Sequence, residues 1–405
     1  MQKTVEQLVR ESGPTGIAPE RLMELLGGSM SRSTLNRTLA TLMSQGFVAP
    51  IGRGPARRYV TLSPFSLADV DAFFQRPVSM RPLAPFREEL LDPTPNIDPE
   101  RARRCAQVQA LANPMDRKYL SRFLVDYSWA SGVLEGSSYS EIDTEALVVY
   151  GEREPDKPQE DAVLALNHKR AAEYLWTHRD LSVENICAMH ALLTDDHGVA
   201  GLTTSDHFLP RQQRGVPRVY EDVNLANSAY LPPHRPGTTH AHDVLVRIVE
   251  TAKLLAPVEA AVYLLTRIAY VQSFANGNKR TSRIAANLPL LAAGLVPSSF
   301  VDITKARYIR GMAAFYELGS MLVIEQAFID GYVRSIMRSS NLPQALRGVG
   351  ADVDGAAKQL GDFINSGNRP KTPAVARFIG PPPKADVGSS TADTKAARTS
   401  RNDLG

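Results

Sequence analysis

Near the start of the chain, apolar residues recur at helical intervals three times, and then the period changes. "KTVEQLVRES" carries its apolar positions at helical spacing. "APERLMELLGG" predicts a second short helix, closed by Gly27 and Gly28, because glycine takes a left-handed C-cap without steric cost. Ser31 offers the N-cap of a third helix in "SRSTLNRTLATLMSQG", with Leu35, Leu39 and Leu42 on one face. "FVAPIGRGPARRYVTL" then predicts two short β-rich runs around a Gly/Pro turn. Residues 65–100 are rich in proline and read as a linker, or as an extended segment packed on the surface. Helical periodicity dominates 101–340, with a loop-rich break from 195 to 240. Beyond it, 341–405 turns Gly-, Pro- and Ser-rich and is expected to be a largely disordered tail, with too little apolar surface to bury.

A chain of 405 residues has room for more than one domain. Its net charge of +3 says nothing for the whole, but residues 1–64 hold eight Lys and Arg against four Asp and Glu. That local excess suits phosphate contacts. Cys105 and Cys187 are far apart and share no metal-like spacing, so a disulfide framework is not expected. "MQKTVEQLVRESG" carries no apolar h-region, so no secretory leader is expected, and "LPLLAAGLVP" is too short to span a bilayer. The expectation is a cytoplasmic protein with no membrane partner.

Three helices and a hairpin in this order resemble a winged helix-turn-helix domain. Its recognition helix would present Arg32, Ser33, Thr34, Asn36 and Arg37, and its wing Arg53, Arg57 and Arg58. DNA is the expected partner, and protein contact the alternative.

The densest chemistry lies in "VQSFANGNKRTSR", residues 271–283. A polar turn opens an apolar helix, so free backbone N–H groups and the positive dipole end gather there. Arg280 and Arg283 add guanidinium forks suited to phosphate oxygens.

This stretch resembles the signature of the Fic (Fido) family, His-x-Phe-x-Asp/Glu-Gly-Asn-Gly-Arg-x-x-Arg, at Phe274, Gly277, Asn278, Arg280 and Arg283. Upstream, "SGVLEG" resembles the family's inhibitory helix motif, with Ser131, Glu135 and Gly136 in place. "NSAYLPP" resembles its β-hairpin flap, with Tyr230, Leu231, Pro232 and Pro233 as the target-binding segment. The resemblance implies a mainly α fold: a helical core over 101–340 with a hairpin flap, preceded by the small winged-helix unit. It also implies transfer of AMP from ATP, with Mg²⁺, to a hydroxyl of a target protein. Gly277, Asn278, Lys279 and Arg280 would hold phosphates, Arg283 would take the γ-phosphate, and Glu135 would compete for Arg283.

The signature departs from the family at three positions. Gln272 stands in the place of the catalytic His, and a carboxamide cannot accept a proton near neutral pH. Asn276 replaces the acidic metal ligand and offers Mg²⁺ an uncharged oxygen only. Lys279 replaces the second glycine. "QSFANGNKRTSRIAANLPL" is similar to a subgroup of the family in which Gln is usual at this position. The expected function is nucleotide binding with weak or absent AMP transfer, in a regulator with a DNA-binding N-terminus. Two alternatives stay open. One is an active adenylyl- or phosphotransferase with a replacement base such as His207 or His234; the other is a DNA-binding regulator whose core serves as scaffold or homodimer module.

Overall fold

The protein is described from a computed structural model. The described residues are 4–380, apart from 13–15, 45–47, 52–53, 62–64, 95, 110–111, 113–114, 200, 203–205, 341–345 and 347–351.

The N-terminal unit follows its hydrophobic pattern. Helices α1 (Val5–Glu11), α2 (Pro19–Leu25) and α3 (Arg32–Ser44) precede strands β1 (Val48–Ile51) and β2 (Arg58–Thr61). Thr4 closes a capping box with Gln7 at the start of α1, satisfying two end amides reciprocally. Gly27 and Gly28 both take positive φ after α2. The Thr34 amide donates to Ser31 Oγ at 3.1 Å, which caps α3. Leu35, Leu39 and Leu42 are buried together with Val9, Leu22 and Tyr59 in a core belonging to this unit alone. β1 and β2 pair antiparallel, Val48 opposite Thr61.

The proline-rich stretch is not a free linker. It contains α4 (Leu67–Phe74) and β3 (Ala84–Pro85), and Leu90, Leu91 and Ile97 enter the main core. Arg81 donates to both carboxylate oxygens of Glu317, at 2.8 and 2.9 Å, and this ion pair is buried. Its prolines break regular structure, but they do not prevent the apolar residues between them from packing.

The central domain is a bundle of helices around one apolar core. Its elements are α5 (Pro99–Gln107), α6 (Arg117–Glu135), α7 (Glu141–Glu145), α8 (Gln159–Thr177), α9 (Val183–Leu193), β4 (Tyr230–Leu231), α10 (His240–Lys253), α11 (Pro257–Val271), α12 (Asn278–Ala285), α13 (Asn287–Ala292), α14 (Lys305–Leu318) and α15 (Leu322–Arg338). α11 is buried on almost every side and forms the axis; α12 packs against it and against α9. Gly311 allows the close crossing of α14 and α15, since a Cβ there would meet the Ile324 backbone at 2.8 Å.

Two expectations change here. First, the flap is not a hairpin: β4 pairs in parallel with β3, Ala84 opposite Tyr230 and Pro85 opposite Leu231. The partner strand comes from the proline-rich stretch, which local pattern could not foretell. Second, the tail does not begin at 341. Helices α16 (Val353–Ser366) and α17 (Pro373–Ala376) follow, and Ala356, Leu360, Phe363, Ile364, Val375 and Phe378 join the main core. Average composition masked a helical apolar stripe there. The expectation for 381–405 lies outside the described residues.

Candidate functional site

The signature turn links α11 to α12. Gln272 ends α11 in the left-handed conformation, with φ 52°. Its side-chain N–H donates to the Ala269 carbonyl at 2.5 Å, and its oxygen accepts from Asn278 Nδ2 at 3.0 Å. The carboxamide occupying the base position is therefore a helix cap. Asn278 closes the turn on itself: Oδ1 accepts from the Phe274 amide at 2.9 Å, and Nδ2 donates to the Phe274 carbonyl at 2.8 Å.

Gly277 is the N-cap of α12 with φ 75° and supplies no side-chain cap. The first-turn amides of α12 have no intrahelical acceptors and carry the positive dipole end. A Cβ at Gly277 would lie 2.8 Å from Thr194 Cγ2 and 3.3 Å from His190 Nε2. Gly277→Ala is expected to cost about 1–3 kcal/mol of stability through the left-handed φ and this clash. Denaturant unfolding measures it, and parent-like stability would count against the turn geometry.

His190, buried beneath the turn, holds it from behind. The Gly215 amide donates to Nδ1 at 2.8 Å, so Nε2 carries the proton and donates to the Asn276 carbonyl at 2.9 Å. The ring stacks on Phe274 with centroids 3.8 Å apart. Burial pushes its pKa down to about 3, which the hydrogen bond to Asn276 only partly offsets. His190 is thus a neutral structural group.

The two arginines of the signature have different fates. Arg280 is fully buried and donates to the carbonyls of Leu193 at 2.9 Å and His207 at 2.7 Å. It is not presented as a free phosphate fork, as the sequence suggested; burial lowers its pKa to about 10. Asn276 Nδ2 also reaches across, to the Asp206 carbonyl, while its Oδ1 accepts from the Gly277 amide at 2.5 Å. The 206–207 segment is therefore clamped onto the turn by two signature side chains.

Arg283 faces α6. Nε donates to Ser131 Oγ at 2.9 Å, and Nη2 donates to Glu135 Oε1 at 2.8 Å and to the Ser131 carbonyl at 3.3 Å. Its guanidinium also lies over the Tyr308 ring, 5.3 Å from the centroid. Burial alone would raise the Glu135 carboxyl, but Arg283, then Arg280 and Lys279, hold it well below the usual carboxylate range. Gly136 caps α6 with φ 110°, which ends the helix directly after Glu135. Ser131, Glu135 and Gly136 thus lie together at the C-terminal end of α6, with Ser131 and Glu135 on Arg283. Lys279 is half-buried and makes no ion pair among the described residues.

The flap residues divide. Tyr230 is buried, and its hydroxyl donates to the Tyr270 carbonyl at 2.8 Å, so it anchors the segment instead of facing a target. Leu231 is exposed. Arg218, which sequence reasoning missed, ties flap to turn: Nε donates to the Gln272 carbonyl at 2.6 Å and Nη2 to the Pro233 carbonyl. It sits in the loop-rich break, where no periodicity marks it.

A resident Mg²⁺ does not fit the donor set. Asn276 is neutral and its oxygen is engaged, and among the described residues no group of three or more His, Cys, Asp or Glu could hold a metal ion. The candidate replacement bases lie beside acids: His207 Nε2 is 3.9 Å from Glu160, and His234 Nδ1 is 3.8 Å from Asp222. On the N-terminal unit, Ser33, Asn36, Arg37 and Arg57 are exposed, and Arg32 pairs with Glu20 at 2.7 Å. Thr34 is engaged in the cap, Arg58 reaches the Gly16 carbonyl at 3.5 Å, and Arg53 lies outside the described residues. Both cysteines are free, and no helix among the described residues is long and apolar enough to cross a membrane.

The Fic/DOC family model matches residues 180–290, which places a Fic/DOC domain there. Among solved structures, the chain is similar to Fic-1 (aa134–508) from C. elegans, at 17% identity over 82% of this chain and 78% of that one, TM-score 0.44. It is also similar to a Fic domain containing signaling protein from Bacteroides thetaiotaomicron, at 16% identity over 62% of this chain and 97% of that one, TM-score 0.44. A Fic family protein from Desulfovibrio desulfuricans shares 14% identity over 60% and 71% of the two chains, TM-score 0.42. No curated protein matches the chain.

Proposed function

We propose that the central domain binds the phosphates of an adenine nucleotide such as ATP at the N-terminus of α12, with weak or absent AMP transfer to protein hydroxyls. The observation that carries this reading is the Glu135–Arg283 pair at 2.8 Å. A partly buried carboxylate on the fully buried last arginine of the turn occupies the place an anionic ligand would take. The contacts available to phosphate are the first-turn amides of α12, Lys279 and, once Glu135 yields, Arg283. Any Mg²⁺ would arrive with the nucleotide. The N-terminal unit is read as a winged helix on DNA, supported by its helix–hairpin order and its exposed basic side chains, and the whole as a regulator in the cytoplasm.

Calorimetric titration of ATP into the full chain tests this. Binding is expected, and Lys279→Ala should weaken it about tenfold or more, the scale of a lost charge-assisted hydrogen bond. No heat in parent and Glu135→Gly alike would sink the reading. It would favour the scaffold role, which the inward engagement of Asn276, Asn278 and Arg280 supports.

A further inference from the structure

α16 lies against α3, and a trough of about 630 Å³ runs between them. Arg37, Ala40 and Thr41 of α3 form one wall, and Lys358 and Asp362 of α16 stand on the other. Arg369 and Lys371, on the loop after α16, line the same trough. Arg37, Lys358, Arg369 and Lys371 are all exposed, and none makes an ion pair among the described residues. Four cations thus share a groove with one carboxylate, and they come from segments far apart in sequence.

The outer wall is pre-organised. Arg104 Nε donates to the Ile364 carbonyl at 2.5 Å, and Arg101 Nε donates to Asn365 Oδ1 at 3.0 Å, which fixes the end of α16. Gln359 Oε1 accepts from the amides of Lys371 and Thr372, each at 3.1 Å, which orders the loop carrying Arg369 and Lys371. Little ordering is left for a ligand to impose on the backbone, so binding loses less entropy there.

We propose that this trough is a phosphate-backbone track for duplex DNA, extending the contact surface of the N-terminal unit onto the C-terminal segment. It rests on the DNA-binding reading of that unit. A recognition helix reads base edges mainly with its N-terminal residues. Here Arg32, Ser33 and Asn36 lie near the start of α3, and the α3 residues that line the trough, Arg37, Ala40 and Thr41, follow them. Helices packed together lie about 8–10 Å apart. The cations of α16 therefore stand to one side of α3, where the phosphates bordering a major groove of about 12 Å would run. Each phosphate neutralised releases condensed counterions, which gives the track a direct signature in salt dependence.

The experiment uses the full chain and a fluorescent duplex, with affinity read by anisotropy across a salt series. The parent should bind, with log K falling linearly in log salt. The triple change Lys358→Gln, Arg369→Gln and Lys371→Gln should make that slope shallower by about 2.7, at about 0.9 per lost contact. The charge-keeping set Lys358→Arg, Arg369→Lys and Lys371→Arg should retain the parent slope, which separates charge from shape. Thermal unfolding should be parent-like in both sets. If the parent binds and the Gln triple keeps its slope, the track is overturned while the DNA reading of α3 stands. If the parent does not bind at low salt, both fall.

Discussion

Glu135→Gln is expected to unfold about 3–5 kcal/mol more readily than the parent, the usual cost of leaving one member of a buried ion pair without its partner. Arg283 has no exposed side-chain surface, and its neighbours Ser131 and Tyr308 are neutral, so among the described residues the carboxylate is the one acid paired with it. Added ATP should stabilise the variant by more than it stabilises the parent, because a γ-phosphate supplies the missing charge only where Glu135 no longer does. The pH dependence has a definite sign. The Glu135 carboxyl is depressed in the folded state, so its contribution is complete above the unfolded value of 4.5 and is lost as pH falls toward the folded value. The gap between parent and variant should therefore be flat above about pH 5.5 and narrow by about 1.4 kcal/mol for each unit below about 4.5. Denaturant melts across pH, with and without ATP, measure all of this. A gap under about 1 kcal/mol at neutral pH would mean that the pair does not hold α6 to α12.

The second large effect concerns catalysis. In a Glu135→Gly background, Gln272→His with Asn276→Asp should raise self-labelling from ATP by about 10²–10⁴, the usual contribution of a general base. Gln272 already sits at φ 52°, a left-handed position that His adopts more readily than most side chains. The Asn278 amide that now donates to the Gln272 oxygen can donate equally to an imidazole nitrogen. Asn276→Asp removes the donor that clamps the Asp206 carbonyl and puts a carboxylate at the turn, where a metal carried in by the nucleotide could meet it. The two gains need not add, since both serve one step. Robust labelling by the parent chain would overturn the account of Gln272 and point to His207 or His234. A silent restored variant would mean that Lys279 or the flap commits the turn to another ligand.

Much of the site was legible before any geometry. The polar turn at Gly277 and the apolar continuation through Ile284 and Leu288 are read from residue type and spacing, and competition of Glu135 for Arg283 is what the resemblance implied. The first two are local, and the third rests on two motifs. Arg280 was misread because its acceptors, Leu193 and His207, lie 87 and 73 residues away on segments without a pattern of their own. A guanidinium looks the same in sequence whether it meets a phosphate or two carbonyls.

The sequence by itself determined the local elements: the capped helices and hairpin of the N-terminal unit, the apolar helix opened by the signature turn, and the absence of a proton acceptor at Gln272. These depend on propensity, periodicity and side-chain chemistry, which act over a few residues. Only the tertiary structure decided where the long-range partners went. It paired the flap with Ala84–Pro85, turned Arg280 and Asn276 inward onto the 206–207 segment, and folded α16 against α3. Each of those outcomes is set by which buried polar group or apolar face remains to be satisfied once the other helices have packed, a question that no single stretch of residues contains.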